Sequence, residues 1–236
     1  MIFGLALMPR IGAAGEWGIG SAIAHFQPSQ TGVRSESIAA PYVTYHGERL
    51  NIDLAAVSYT LYKSQEILIS MEGELRFDGY DPKDSPALQG MEKRDPSFDA
   101  GIGVARAGAW GVMKIMILGD ITGTHEGYEA RAEYEAPYMI NRLLIAPAVG
   151  VSWLDDALVD YYYGVRLDEA TSTRNLYTGD ATTNTYVHLS VGYILSDSME
   201  LLAGFKYVRL GENIEASPIV DKKYETSAFS AVQYKF

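Results

Sequence analysis

His188 and Ser190 stand two residues apart in "YVHLSVGYI" (Tyr186–Ile194), a spacing that puts both on one face of a β-strand. A histidine beside a hydroxyl is a minimal element of nucleophilic acyl chemistry, and at a barrel rim it would act on lipid. The sequence goes no further in that direction. It contains no Gly-x-Ser-x-Gly, and no third group can be assigned to orient the histidine. His25, His46, His125 and His188 are scattered over separate elements, with no pair at metal-ligand spacing on one face. "GIGVARAG" (Gly101–Gly108) echoes a dinucleotide loop, but its spacing is wrong and its glycines suit close strand packing. There is no cysteine, which removes disulfides, thiolate catalysis and Cys-based metal sites. A non-enzymatic chain is therefore expected, with no catalytic, metal or cofactor residues.

A second set of chemical groups alternates along two stretches. "ILISMEGELRF" carries Glu72, Glu74 and Arg76 on its even positions, while Ile67, Ile69, Met71, Leu75 and Phe77 hold the odd ones. "GYEARAEYEA" carries Glu129, Arg131, Glu133 and Glu135 opposite Tyr128, Ala130, Ala132 and Tyr134. Period-two alternation over such lengths marks strands with one apolar and one ionic face. Paired across strands, those charges would fill a bore with salt bridges; unpaired, they would favour cations. Structural filling is the preferred reading, with passage of small polar or cationic solutes as the alternative.

The elements that must hold these groups follow from the same period. Met199–Val208 again sets Met199, Leu201, Ala203, Phe205 and Tyr207 against Glu200, Lys206 and glycine. No stretch approaches the roughly 20 apolar residues of a spanning helix, and the run Leu143–Leu154 is broken by Pro147 and Gly150. A chain of this kind that crosses a membrane does so as a barrel. The formal charge of −11, from 30 acidic and 19 basic residues, argues against a nucleic-acid partner. "GEW" (Gly15–Trp17) echoes the opening of soluble lipocalin barrels, but the chain is longer than that fold needs.

The expected fold is all-β, a single closed antiparallel transmembrane barrel of about twelve strands, with about ten or fourteen as alternatives. The spans are 17–27, 38–46, 49–63, 66–77, 98–107, 110–120, 126–136, 141–153, 158–167, 185–195, 199–210 and 225–236. Keeping 49–63 whole preserves an even count. It also places 78–97, with its three prolines, on the periplasmic side, where turns are usually short. On 158–167 the register sends Val159, Tyr161, Tyr163, Val165 and Leu167 to lipid, and Leu158, Asp160, Tyr162, Gly164 and Arg166 to the lumen. The expected lumen charges are thus Glu72, Glu74, Arg76, Glu129, Arg131, Glu133 and Arg166. The expected lipid-facing aromatics are Tyr128, Tyr134, Tyr161, Tyr163, Phe205, Tyr207, Tyr234 and Phe236, rings suited to a membrane interface.

Residues 1–14 read as a residual signal-like segment that lacks a positive start, and 15–236 as the barrel. The chain ends "YETSAFSAVQYKF", an alternating strand closed by Phe236, of the kind read by barrel-assembly machinery.

Larger blocks carry a family likeness. "AGEWGIGSAIAHFQPSQTG", "APYVTYHGERLNID", "DSPALQGMEKRD", "FDAGIGV", "LLIAPAVGVSWLDDALVDYYYGVRLDEA" and "SPIV" before the Phe-ending strand resemble the MipA/OmpV family. The resemblance implies an outer-membrane β-barrel of a Gram-negative envelope. For the family's name-giving member it further implies a scaffold joining a membrane-bound lytic transglycosylase to a murein synthase; the partners expected by that analogy here are outer-membrane lipid and a periplasmic murein hydrolase and synthase. It brings no catalytic residues with it.

Overall fold

The computed structural model describes residues 15–236, so the signal-like reading of 1–14 lies outside the described residues. The chain forms one antiparallel sheet that closes on itself. In order the strands are β1 (Glu16–Gln27), β2 (Glu36–His46), β3 (Leu50–Asp53), β4 (Ala56–Lys63), β5 (Ile67–Arg76), β6 (Ser97–Gly108) and β7 (Gly111–Asp120). They continue with β8 (Tyr128–Glu135), β9 (Tyr138–Ile140), β10 (Leu143–Leu154), β11 (Thr182–Ser196), β12 (Met199–Arg209) and β13 (Tyr224–Lys235). Sequence neighbours pair throughout except β8 with β9, and β13 returns to β1 with Ile19 opposite Tyr234 and Ala22 opposite Ala231. β8 and β9 share one place in the wall, both pairing with β10. The break falls at Ala136-Pro137, because proline cannot donate to a ladder. The wall therefore has twelve places.

Two corrections to the sequence reading offset each other in that count. Residues 49–63 are two strands, β3 and β4, joined by a tight hairpin at Leu54-Ala55. Residues 158–167 are no strand at all. "DALVDYYY" forms helix α1 (Asp156–Tyr163), capped by the Asp155 side chain accepting from the Leu158 N–H at 3.0 Å. Leu158, Val159, Tyr162 and Tyr163 recur at helical spacing and are its buried residues. The consecutive tyrosines are thus one helix turn, with Tyr162 and Tyr163 directed into a core.

The split of 49–63 also reverses the register of everything between it and α1. Residues 77–96 emerge at the same end as 28–35, 121–127, 155–181 and 210–223, and not at the end of the short turns. The opposite end carries both chain ends of the barrel and the tight connections 47–49, 64–66, 109–110, 141–142 and 197–198. At 141–142 the two-residue hairpin needs a left-handed residue, which Asn141 supplies at φ 56.

The long segments pack together as a cap. α1 joins Leu154, Tyr186, Val208, Leu210 and Ile214 in one buried cluster, which plants the cap on the ends of β10, β11 and β12. Tyr80, Leu88, Met91, Val165 and Ile219 form a second cluster drawn from three separate segments. A helix α2 (Glu212–Glu215) contributes Ile214.

Candidate functional site: the ionic interior and its cap

Inner and outer faces are set by the alternation read in the sequence. On β5 the inner residues are Ser70, Glu72, Glu74 and Arg76; on β8 they are Glu129, Arg131, Glu133 and Glu135. The register brings them together through β6 and β7, where Asp99 lies opposite both Glu74 and Asp120, and Glu129 opposite Leu118. Arg76 donates to Asp99 at 2.8 Å, to Asp78 at 3.0 Å and to Glu129 at 2.6 Å. Arg131 reaches Glu129 at 2.9 Å and Glu74 at 2.9 Å. Two guanidiniums are thus enclosed by four carboxylates, all largely removed from solvent. Forks and carboxylates in this arrangement satisfy one another's hydrogen bonds, which is what a buried charge requires.

The network continues around the bore. Lys114 pairs with Glu72 at 3.1 Å, and Ser70 donates to the same carboxylate. The Tyr186 hydroxyl donates to Glu133 at 3.0 Å. His188 lies with Nδ1 3.5 Å from Glu133 and Nε2 3.8 Å from Glu135, stacked on the Tyr186 ring. The Lys206 ammonium stands 4.4 Å over that ring. His188 is therefore an interior residue between carboxylates, away from the rim where acyl chemistry would need it.

Asp99, Asp120 and His125 come within ligand distance of one another, a grouping invisible in the sequence because they sit on three elements. Their acceptors are already engaged. Asp99 receives Ser97, Arg76 and His125, while Asp120 receives the Thr122 hydroxyl and the N–H groups of Thr122, His125 and Glu126. The arrangement locks the 121–127 turn and lacks the open lone pairs a cation needs.

The remaining assignments are mixed. Arg166 is not an interior charge; it lies half-exposed in the cap and pairs with Glu92. Tyr161 and Tyr163 do not face lipid, since they ride on α1 inside the cap; the Tyr161 hydroxyl accepts from the Asp95 N–H at 3.0 Å. Tyr128 and Tyr134 occupy the outer register of β8, Phe205 and Tyr207 that of β12, and Tyr234 that of β13. Phe236 follows β13 and stacks on Tyr234. Exposed Ile19, Ile102, Ile115, Ile117 and Val149 complete an apolar outer belt.

The sequence reading missed the cap's central ion pair. Arg94 holds Glu169 with two hydrogen bonds of 3.0 and 2.9 Å, both side chains being 1% exposed. Arg94 also donates to the Tyr161 carbonyl, and Glu169 accepts from the N–H groups of Glu92 and Arg166. Arg174 binds the carbonyls of Ala87, Gln89 and Glu169. Burial alone would push the Glu169 carboxyl up, but Arg94 and the two N–H groups outweigh it and hold the carboxyl below its ordinary range. Burial pushes the Tyr80 hydroxyl, beside this pair, up to about 12.

An apolar belt outside, ions inside, short turns at one end and long segments at the other define an outer-membrane β-barrel. Comparison with known proteins agrees. A family model described as "MltA-interacting protein MipA" matches residues 19–236. The chain belongs to the MipA family, and with it to the Gram-negative outer membrane. It is 26% identical over 240 residues to "Putative outer membrane protein YiaT" of Escherichia coli (strain K12), covering 100% of this chain and 96% of that one. It is 27% identical to "Outer membrane protein OmpV" of Vibrio cholerae, over 81% of this chain and 76% of that one. The "MltA-interacting protein" of Escherichia coli (strain K12) is 22% identical, with 95% and 92% covered. Among solved structures, the translocator domain of autotransporter NalP from Neisseria meningitidis is similar at TM-score 0.43 and 10% identity, covering 96% and 90%.

Proposed function

We propose that the protein is a non-enzymatic scaffold of the outer membrane, a filled barrel that holds murein-handling proteins at the envelope. The observation that carries this reading is the interior itself. Arg76 and Arg131 are held by Asp78, Asp99, Glu74 and Glu129, drawn from β5, β6, β8 and the segment after β5, and a packed cap crosses one end. Such a bore favours rigidity over transport or turnover. The name of the 22%-identical relative supports a murein-related partner. Since short turns face the periplasm in barrels of this class, partners would meet the end that carries 109–110, 141–142 and 197–198. Tyr138, Met139 and Ile140 stand exposed there, and we assign them to the docking face. The alternation along β13 supports delivery by the barrel-assembly machinery.

A photo-crosslinking residue at Met139 is expected to capture a murein hydrolase or synthase in intact cells, while the same residue at Leu167 in the cap does not. Capture only from Leu167, or no murein protein from either site, would contradict the scaffold reading. The second reading, a narrow path for small cations, is favoured by Glu135 and His188, each of which keeps a buried atom without a hydrogen-bond partner.

A further inference from the structure

Two buried polar atoms in the bore face each other with no hydrogen-bond partner. They are Glu135 Oε2 and His188 Nε2, on side chains that are only 5% and 8% exposed. The two atoms stand 3.8 Å apart. That is too long for a hydrogen bond. It is near the spacing of two ligands on one small cation, about 3.3 Å when both bonds are about 2.0–2.1 Å long and tetrahedrally disposed.

The register explains why these atoms meet. On β10, Ala148 lies opposite both Glu135 of β8 and His188 of β11, so the three form one row across the wall. Ala148 contributes only a methyl group between the carboxylate and the imidazole. The adjacent row orients the histidine. Gly150 lies opposite both Tyr186 and Glu133, and a Cβ on Gly150 would collide with the Tyr186 ring. Glycine therefore lets that ring cross β10, where its hydroxyl donates to Glu133 Oε2 at 3.0 Å. The same oxygen stands 3.5 Å from His188 Nδ1. A carboxylate beside Nδ1 favours the tautomer protonated there, which leaves the Nε2 lone pair directed at Glu135. Protein-bound zinc uses this arrangement, a histidine steadied through one nitrogen and coordinating through the other.

The ligand types and the charge select the ion. One imidazole and one carboxylate suit Zn²⁺, whereas Ca²⁺ and Mg²⁺ want oxygen alone. Glu133 and Glu135 bring two negative charges against the single positive charge of Lys206, which stands over the Tyr186 ring. The Glu133 side chain is 17% exposed, so the row stays in touch with water. We infer that Glu135 and His188 bind a Zn²⁺-like divalent ion inside the bore, with Glu133 as a positioning residue and water completing the coordination. The inference rests on neither the scaffold nor the cation-path reading, because an ion that enters from the short-turn end and stays needs no route through the cap.

The test is calorimetric titration of Zn²⁺ into the full barrel, purified in detergent and stripped with a chelator, near neutral pH. One equivalent is expected to bind saturably. Glu135→Gln and His188→Gln, checked for folding by migration on unheated gels, should each lose that step, while His25→Ala, an exposed histidine, keeps it. Glu133→Gln should weaken binding by about 10–100-fold. The zinc X-ray absorption spectrum reports the ligands without any variant. It should show one imidazole in the wild type and in Glu133→Gln, and none in His188→Gln. Absence of a saturable step in the wild type would overturn the inference, and would leave a protonated His188 bridging Glu133 and Glu135. Binding that survives in Glu135→Gln or His188→Gln, or a wild-type zinc spectrum of oxygen ligands alone, would overturn it too.

Discussion

Arg131→Leu is expected to unfold the barrel at a markedly lower temperature. The guanidinium neutralises Glu129 and Glu74 from inside the bore, and neither carboxylate can reach bulk water in its place. Removing one member of a buried ion pair costs about 3–5 kcal/mol, since the surviving charge keeps its desolvation penalty. Arg76 still holds one oxygen of Glu129, so adding Glu129→Gln to Arg131→Leu should recover part of the loss. The readout is the temperature at which the detergent-extracted barrel loses its compact migration on unheated gels. An Arg131→Leu barrel that unfolds with the wild type would show that the network does not support the fold.

The second large effect belongs to the cap. Glu169→Ala strands the Arg94 guanidinium in a site where both side chains are almost wholly enclosed, again at a cost of about 3–5 kcal/mol. Arg94 ties 77–96 to α1 through the Tyr161 carbonyl, so both segments should loosen together. Amide exchange across 77–96 and 155–181 is expected to accelerate in the variant, with strands β6 and β10 still protected. The same pair gives the cap a pH dependence. The Glu169 carboxyl is held below its ordinary value in the folded state, so its stabilisation is complete above the unfolded value of about 4.3 and fades as pH falls through the folded one. Wild-type cap protection, corrected for the intrinsic pH dependence of amide exchange, should therefore fall on acidification below that window, whereas Glu169→Ala should show no such fall.

The strands were legible because lipid outside and ions inside impose a strict period of two. Ile67–Phe77 and Gly127–Ala136 could be read residue by residue, and both keep that register in the wall. The cap was not legible by the same rule. "LVDYYYGV" satisfies alternation as well as it satisfies a helix, and only Asp155, a capping residue ahead of Leu158, Val159, Tyr162 and Tyr163, marks the helical choice. The β3–β4 hairpin hid for a related reason. Leu54-Ala55 has no glycine, proline or asparagine, so the chain reverses without a turn signal, and the reversal moved 77–96 to the other end. The ionic residues were named from sequence, but their partnerships were not. Glu129 meets Arg131 two residues along its own strand, whereas Arg76 lies far away in the chain and is brought there by closure of the sheet. Arg94 and Glu169 sit in irregular segments with no periodicity to betray them.

We propose that, among the described residues, matched charges and a packed cap close the bore to solutes. Single-channel recording of the purified protein in planar bilayers addresses it directly. Silence at applied voltage is the expected result. A steady conductance that drops on Glu129→Gln and Glu133→Gln would mean that ions travel along these carboxylates, and that the interior is a pore.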